Sequence, residues 1–261
     1  MTDNGSQVAG ENAGQGIEYA ARAVNLHKQY GEGETAVTAL DHVNVAFAKN
    51  QFTAIMGPSG SGKSTVSKQV AKDLDIAFLD TGAMYRAVAW KVLQQGGEVT
   101  DEKILAVVSD IDVDLSYENG KTTVRVDGQD VTSEIRTPEV SHIVSKVAAL
   151  GPVREKMVDL QRKMAERGGV LMDGRDIATN VLPGADVKIY LTASIAERAN
   201  RRYKELREKG LAVDLADIEH DIAARDKADM EREISPLVQA DDATLLDTTG
   251  MTIPEVVARI I

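Results

Sequence analysis

The sequence has no cysteine, and only 4% of its 261 residues are aromatic. Without cysteine there can be neither disulfides nor Cys-ligated zinc, which suits a reducing compartment. Long apolar runs are missing too. Nothing approaches the roughly 18 residues that span a bilayer, and the first residues carry neither a basic segment nor an apolar core of a secretory leader. Positive charge is in short supply: 30 Lys and Arg stand against 41 Asp and Glu, a net charge of −11. Such a chain is poorly suited to neutralising a nucleic-acid backbone. These absences lead us to expect a cytoplasmic chain with no nucleic-acid or membrane partner, in which any basic cluster has a local purpose; a monomer is expected as well. The 43% of hydrophobic residues suffice for one large domain or two small ones.

Texture changes along the chain. Residues 1–17 are Gly-, Asn- and Gln-rich and cannot bury enough apolar area to offset ordering entropy, so a disordered tail is expected there. From about 18 to 56 short alternating runs flank the turn-like GEGET and end in FTAIM, which predicts an antiparallel β segment leading into one more strand. Beyond residue 60 the chain reads as α/β. A helix is predicted over Ser64 to Leu74, a strand at 76–80, helices at 83–97 and 152–167, strands at VLMDG and VKIYLT, and a charged helix from about 195. In IDVDLSYENGKTTVRVDGQDV the alternating runs around Asn119–Gly120 predict a small antiparallel insertion with a tight hairpin.

GPSGSGKST, from Gly57 to Thr65, satisfies G-x-x-x-x-G-K-[ST], with a strand before it and a helix after it. Glycines let successive backbone N–H groups face one concavity, and the helix N-terminus adds positive potential, so the loop suits nucleotide phosphates. Gly57, Ser59, Gly60, Ser61, Gly62, Lys63, Ser64 and Thr65 are the candidate ATP-binding residues. Lys63 is expected to bridge the β- and γ-phosphates, with the Ser64 hydroxyl on Mg²⁺.

Three other places invite attention. Between Ala196 and Lys209 six basic residues meet three acidic ones, and Arg198, Arg201 and Arg202 share a helix face; a solvated face laced with Glu–Arg pairs explains this as well. DTGAMYR places Thr81 and Arg86 after a strand end, where α/β sites form, though Asp80 or Thr81 would serve equally as a helix cap. Asp173, in LMDG at another strand end, is either a carboxylate for Mg²⁺ through water or a turn residue. His27, His42, His142 and His220 form no ligand-spaced pair. Met56, Met84, Met157, Met164 and Trp90 read as core, and Tyr85 as bordering the same pocket as Thr81.

Two resemblances meet at the phosphate loop. AVNLHKQYGEGETAVTALDHVNVAFAKNQFTAIMGPSGSGKST, within 18–65, resembles the start of an ABC-transporter ATPase of the lipoprotein-release or macrolide-export type. That resemblance implies a Tyr30 that stacks on adenine, but no LSGGQ signature, Q-loop or switch His follows. From about residue 57 to 261 the chain resembles bacterial cytidylate kinase. The motifs are LDTGAMYRAVAW (79–90), VDGQDVTSEIRTPEVS (126–141), SKVAALGPVRE (145–155), MDGRDIATNVLPGADVKIYLTAS (172–194), ERANRR (197–202), RDKADMERE with SPL (225–237) and LDTTGM (246–251). That family usually has Asp before the first glycine of the loop, where Met56 stands here. The pair of resemblances implies a chimera joined at the loop.

The kinase resemblance implies a P-loop α/β three-layer fold with a parallel central sheet and a monophosphate-binding insertion at about 106–150. It implies ATP-dependent transfer to CMP and dCMP, with Mg²⁺. Thr81, Arg86, Arg175 and Arg232 would hold the acceptor phosphate. Ser145, Arg154 and Asp176 would read the cytosine edge, and Arg225 with Asp229 would meet the ribose. Residues 196–232 would form a lid that brings Arg198 and Arg202 to ATP, so that Lys63, Arg175, Arg202 and Arg225 serve the transfer. Asn180 and Thr179 have no implied role. Two rival readings are a nucleotide-binding scaffold with little turnover and a transporter-type ATPase.

Overall fold

The computed structural model describes residues 19–30, 37–48, 51–118, 121–166, 168–208 and 210–261, with the backbone alone over 19–48. The expected tail, the GEGET turn, Asn119–Gly120 and the Tyr30 side chain lie outside the described residues.

Five parallel strands form the central sheet: β3 (Phe52–Met56), β4 (Ala77–Asp80), β8 (Val170–Gly174), β9 (Val187–Thr192) and β10 (Thr244–Asp247), in the order β10-β9-β3-β8-β4. The phosphate-loop strand is therefore central, paired with β8 on one side and β9 on the other. Its residues alternate between two apolar layers. Ala54 and Met56 join the core that contains helices α2 (Thr81–Gln94), α3 (Asp101–Asp110), α4 (Pro138–Ala149) and α5 (Gly151–Ala165), while Ile55 faces α1 (Lys63–Asp73) and α8 (Ile253–Ile260). A strand buried on both faces between helical layers reads as a continuous apolar run, and VLMDG is buried at all of its positions. Each fully buried aliphatic side chain contributes about 1.5–3 kcal/mol.

Local chemistry sets the helix starts. Asp80 caps α2 by accepting from the Ala83 N–H at 3.2 Å, Thr100 caps α3, and Thr137 with Pro138 begins α4. Helix α2 thus starts two residues earlier than the sequence pattern suggested.

The expected small antiparallel sheet is present, within a segment that also carries helix. Only β5 (Val113–Glu118), β6 (Lys121–Val126) and β7 (Gln129–Asp130) are antiparallel, and the rest of 106–150 is the end of α3, a 3₁₀ turn at Glu134–Arg136 and α4. The helical pattern of α4 was hidden because its apolar stripe is short and β-branched. Tyr117 of β5 meets Phe78 of β4 edge to face at 5.9 Å, tying the insertion to the sheet edge with a pair worth about 0.5–1.5 kcal/mol.

Two further helices, α6 (Ile195–Glu208) and α7 (Leu215–Glu231), share a small apolar cluster of Ala199, Ile218 and Ile222. Upstream, β1 (Tyr19–Tyr30) and β2 (Val37–Ala48) pair antiparallel as a separate two-stranded sheet, matching the pattern read there. Among the described residues no helix is long and apolar enough to cross a membrane.

Candidate active site

The carboxyl ends of β3, β8 and β4 lie side by side, with Met56 opposite Gly174 and Asp80 opposite Asp173. Ligands of open α/β sheets bind at such ends. Here the chain opens a cleft of about 220 Å³, continuous with solvent, lined by the phosphate loop, the start of α2, α4, the turn after β8 and α7.

The loop side depends on tight backbone. Gly57 has φ of +145°, and a Cβ there would stand 1.9 Å from the Leu191 carbonyl oxygen of β9, so no other residue fits. The Lys63 ammonium and the Ser61 hydroxyl both donate to the Pro58 carbonyl, at 2.9 and 3.0 Å. Ser64 donates its hydroxyl to Asp173 Oδ2 at 2.6 Å, while Asp173 Oδ1 is buried with no hydrogen-bond partner among the described residues. Burial and the neighbouring Asp80 push Asp173 up to about 7. Burial and the nearby Arg175 charge bring Lys63 down to about 7.

The opposite wall is ionic. Arg86, Arg136, Arg154, Arg175, Arg225 and Arg232 line the cleft, balanced in part by Asp80, Asp173, Asp176 and Asp229. Thr81 donates to the Asp173 carbonyl at 2.7 Å, and a Cβ on Gly174 would lie 2.6 Å from that hydroxyl. Arg86 reaches Ser141 of α4 at 2.8 Å and is brought down to about 10 by burial and by Arg225. Arg175 donates through Nε to Asp229 at 2.8 Å, and Arg232 stands 3.7 Å from the same carboxylate. Burial raises the Asp229 carboxyl, but Arg175, Arg232 and Arg225 outweigh it and the net shift is downward. Arg154 bonds Asp176 at 2.5 Å and lies over the Tyr85 ring at 5.3 Å, while burial drives the Tyr85 hydroxyl up to about 12. Arg225 Nε, Arg232 Nη2 and Arg154 Nε are buried without hydrogen-bond partners among the described residues. So many buried guanidinium donors facing one space suit a phosphate ester, whose oxygens match the planar fork.

Of the residues singled out in the sequence, Ser59, Gly60, Lys63, Ser64, Thr81, Arg86, Ser145, Arg154, Asp173, Arg175, Asp176, Arg225, Asp229 and Arg232 share this cleft. Gly57, Ser61, Gly62 and Thr65 belong to the loop or the first turn of α1 without lining it. Arg198 and Arg202, expected over ATP, do not line it either. Arg198 points into the protein and is only 3% exposed; Arg202 pairs with Glu205 at 2.8 Å on the outer face of α6. Both outcomes follow from α6 burying Ala199 against α7, which turns neighbouring positions inward or outward. Trp90 packs against the main core.

Sequence reasoning missed Arg136. It sits in the 3₁₀ turn and bonds Asp80 Oδ2 at 3.3 Å, so Asp80 is both the cap of α2 and part of the wall. No local pattern marked it, because its partner lies 56 residues away. Asn180 and Thr179 also acquire places: they hold Asp176 through its side chain at 3.1 Å and its carbonyl at 3.4 Å.

Comparison with known proteins adds three findings. The family model described as cytidylate kinase matches residues 53–261, beginning inside β3. Curated proteins named cytidylate kinase include one from Lactobacillus johnsonii, 53% identical over 208 residues, covering 79% of this chain and 90% of that protein. Another, from Desulfitobacterium hafniense, is 50% identical over 214 residues, covering 82% and 92%. Among solved structures, a shikimate kinase from Acinetobacter baumannii in complex with shikimate is similar at 14% identity and a TM-score of 0.40, covering 80% of this chain and 89% of that one.

Proposed function

Because the chain belongs to the cytidylate kinase family, we propose that it transfers the γ-phosphoryl group of ATP to CMP and dCMP, giving ADP with CDP or dCDP. The observation that carries this reading is the cleft itself, where a phosphate loop faces six arginines on a chain of net charge −11.

In the transfer, the bond from Pγ to the β–γ bridging oxygen breaks and a bond to an oxygen of the acceptor monophosphate forms. That acceptor is already an anion, so no general base is required; positioning and charge neutralisation suffice. Lys63 leaves the Pro58 carbonyl to meet the donor phosphates, and its tie to that carbonyl keeps the ammonium inside the cleft meanwhile. Arg175 stands between the two ends: its charge bears on Lys63 and its Nε holds Asp229. Thr81, Arg86 and Arg232 take the acceptor phosphate with it. Ser145, Arg154 and Asp176 read the base, with the Arg154–Asp176 pair held by Asn180 and stacked on Tyr85. Arg225 and Asp229 meet the ribose. Arg202 joins the donor phosphates if closure of α6–α7 exchanges its Glu205 partner for them.

Ser64 and Asp173 would hold Mg²⁺, since Asp173 Oδ1 is orphaned beside a hydroxyl and a hard oxygen pair suits that ion. When bound, the ion neutralises phosphate charge. We further propose that residues 18–56 derive from a transport-ATPase segment joined at the loop, with Tyr30 on adenine. The support is the sequence pattern from 18 to 65 and the start of the kinase match at residue 53. Tyr30→Ala should raise the KM for ATP, and an unchanged KM would remove the adenine contact. We also place the enzyme in the cytoplasm as a monomer, which sedimentation with and without nucleotide would check.

A coupled assay over CMP, dCMP, UMP and AMP tests the main reading. Turnover with a clear cytidine preference is expected. A folded protein with no such preference would overturn it.

A further inference from the structure

Arg198 is tied to three elements at once. Its Nε donates to the Ala193 carbonyl just past β9 at 2.9 Å, Nη1 to the Ser59 carbonyl in the phosphate loop at 2.8 Å, and Nη2 to the Asp226 carboxylate of α7 at 2.5 Å. Gly60 rests on the same side chain, since a Cβ there would stand 3.3 Å from Arg198 Cβ. A guanidinium is planar and its donors are fixed relative to one another, so three such bonds set the loop and the helices in one mutual geometry.

Asp226 lies one turn before Asp229 on α7, on the same face. Asp229 in turn holds Arg175, and Arg225, next to Asp226, lines the cleft. Two sets of charge-assisted bonds, Ser59–Arg198–Asp226 and Asp229–Arg175, are therefore anchored on one stretch of α7, which links a carbonyl of the donor loop to the arginines of the acceptor wall. The helices that carry them have their own apolar cluster, distinct from the two clusters that flank the central sheet. A helix pair with its own core that is joined to the body by ionic ties can shift as one piece.

We infer that Arg198 is a positioning residue that couples the two nucleotide sites: phosphates seated in the 57–65 loop set the Ser59 carbonyl, and Arg198 with Asp226 passes that placement to Arg225 and Arg175. The inference rests on the kinase reading above. Linkage makes the effect reciprocal, so each nucleotide tightens the other by one factor.

Calorimetric titration tests it. A non-hydrolysable ATP analogue and CMP are each titrated alone and against the other nucleotide, with Mg²⁺, in the unmodified protein and in Asp226→Asn, Arg198→Lys and Asp226→Glu. In the unmodified protein the second nucleotide should bind at least about fivefold tighter once the first is present. Asp226→Asn and Arg198→Lys should bring that ratio close to one, and Asp226→Glu, which keeps the charge, should restore most of it. A purely structural role would lower the melting temperature or weaken each nucleotide alone while leaving the ratio unchanged, and that result overturns the inference. So does an unmodified protein that binds both nucleotides independently. If Asp226→Asn does not fold, an undiminished ratio in Arg198→Lys is the overturning result. Failure of the unmodified protein to bind either nucleotide would instead count against the kinase reading.

Discussion

The phosphate loop and the arginine wall opposite it serve the same kind of ligand, yet they are built in opposite ways. The loop is nine consecutive residues, Gly57 to Thr65, whose donors are largely backbone and whose shape is set by close contact, as at Gly57 against Leu191. The wall collects side chains from α2, the 3₁₀ turn, α5, the end of β8 and α7, and holds them by ion pairs such as Arg175–Asp229 and Arg154–Asp176. A site made of backbone tolerates few changes of shape. A site made of paired charges tolerates changes of shape better than the loss of a partner, because the remaining charge is left buried and alone.

That contrast can be broken in several places. The largest effect is expected at Lys63. Lys63→Met should lower kcat by about 10²–10³-fold with the fold retained, as removal of a single preorganised donor does elsewhere; steady-state rates with circular dichroism check it, and a small loss would mean that the loop backbone suffices. Arg175→Lys should follow, with kcat/KM down by about 10²-fold, because an ammonium cannot hold Asp229 and a phosphate in one plane. If Arg175→Lys is as active as the parent, the wall works by net charge and not by geometry. Arg136→Ala should act mainly on the KM for CMP, by up to about fivefold, since its half-exposed pair with Asp80 is worth about 1 kcal/mol at most. An effect on the KM for ATP alone would move Arg136 to the loop side.

The smallest effect is on stability without nucleotide, at the junction where loop and wall meet. Asp173 holds its proton in the folded state up to about 7, against 3.8 unfolded, so its contribution falls as pH rises through that window. Lys63 is displaced the other way, from 10.5 to about 7, so its contribution rises with pH above neutrality. The pair should give the free protein a shallow stability minimum near neutral pH. Asp173→Asn should flatten the acid side, a change of about 2–4 °C in Tm per kcal/mol. Equal slopes for the two proteins between pH 4 and 7 would show that the Asp173 carboxyl does not carry the effect.

The fold was legible wherever local signals agreed. The strand–loop–helix at residues 52–73, the capped start of α2 and the Pro-led α5 all follow from turn chemistry and apolar period. The antiparallel strands around Asn119–Gly120 were legible, but helix α4 and the 3₁₀ turn were not. There the short β-branched stripe gives no clear period, and Thr137–Pro138 suits a turn as well as a helix start. In the site, Gly60, Thr81, Arg86 and Arg175, all singled out in the sequence, line one cleft. Arg198 and Arg202 lie outside the cleft and Arg136, which no pattern marked, lies in it, because a helical face is known from sequence while the neighbour it faces is not.

By itself the sequence determined an acidic, cysteine-free chain with a backbone cradle for phosphate and enough arginines to face it. The loop could be read because its function depends on residues adjacent in the chain. Which arginines look into the cleft was decided only by tertiary structure. Burial of Ala199 against Ile218 and Ile222 turns Arg198 inward to Ser59 and Asp226 and leaves Arg202 outside with Glu205. The insertion, folded back on β4, brings Arg136 to Asp80. A charge acts over distances in space, and the chain sets those distances only after its apolar faces have chosen their partners.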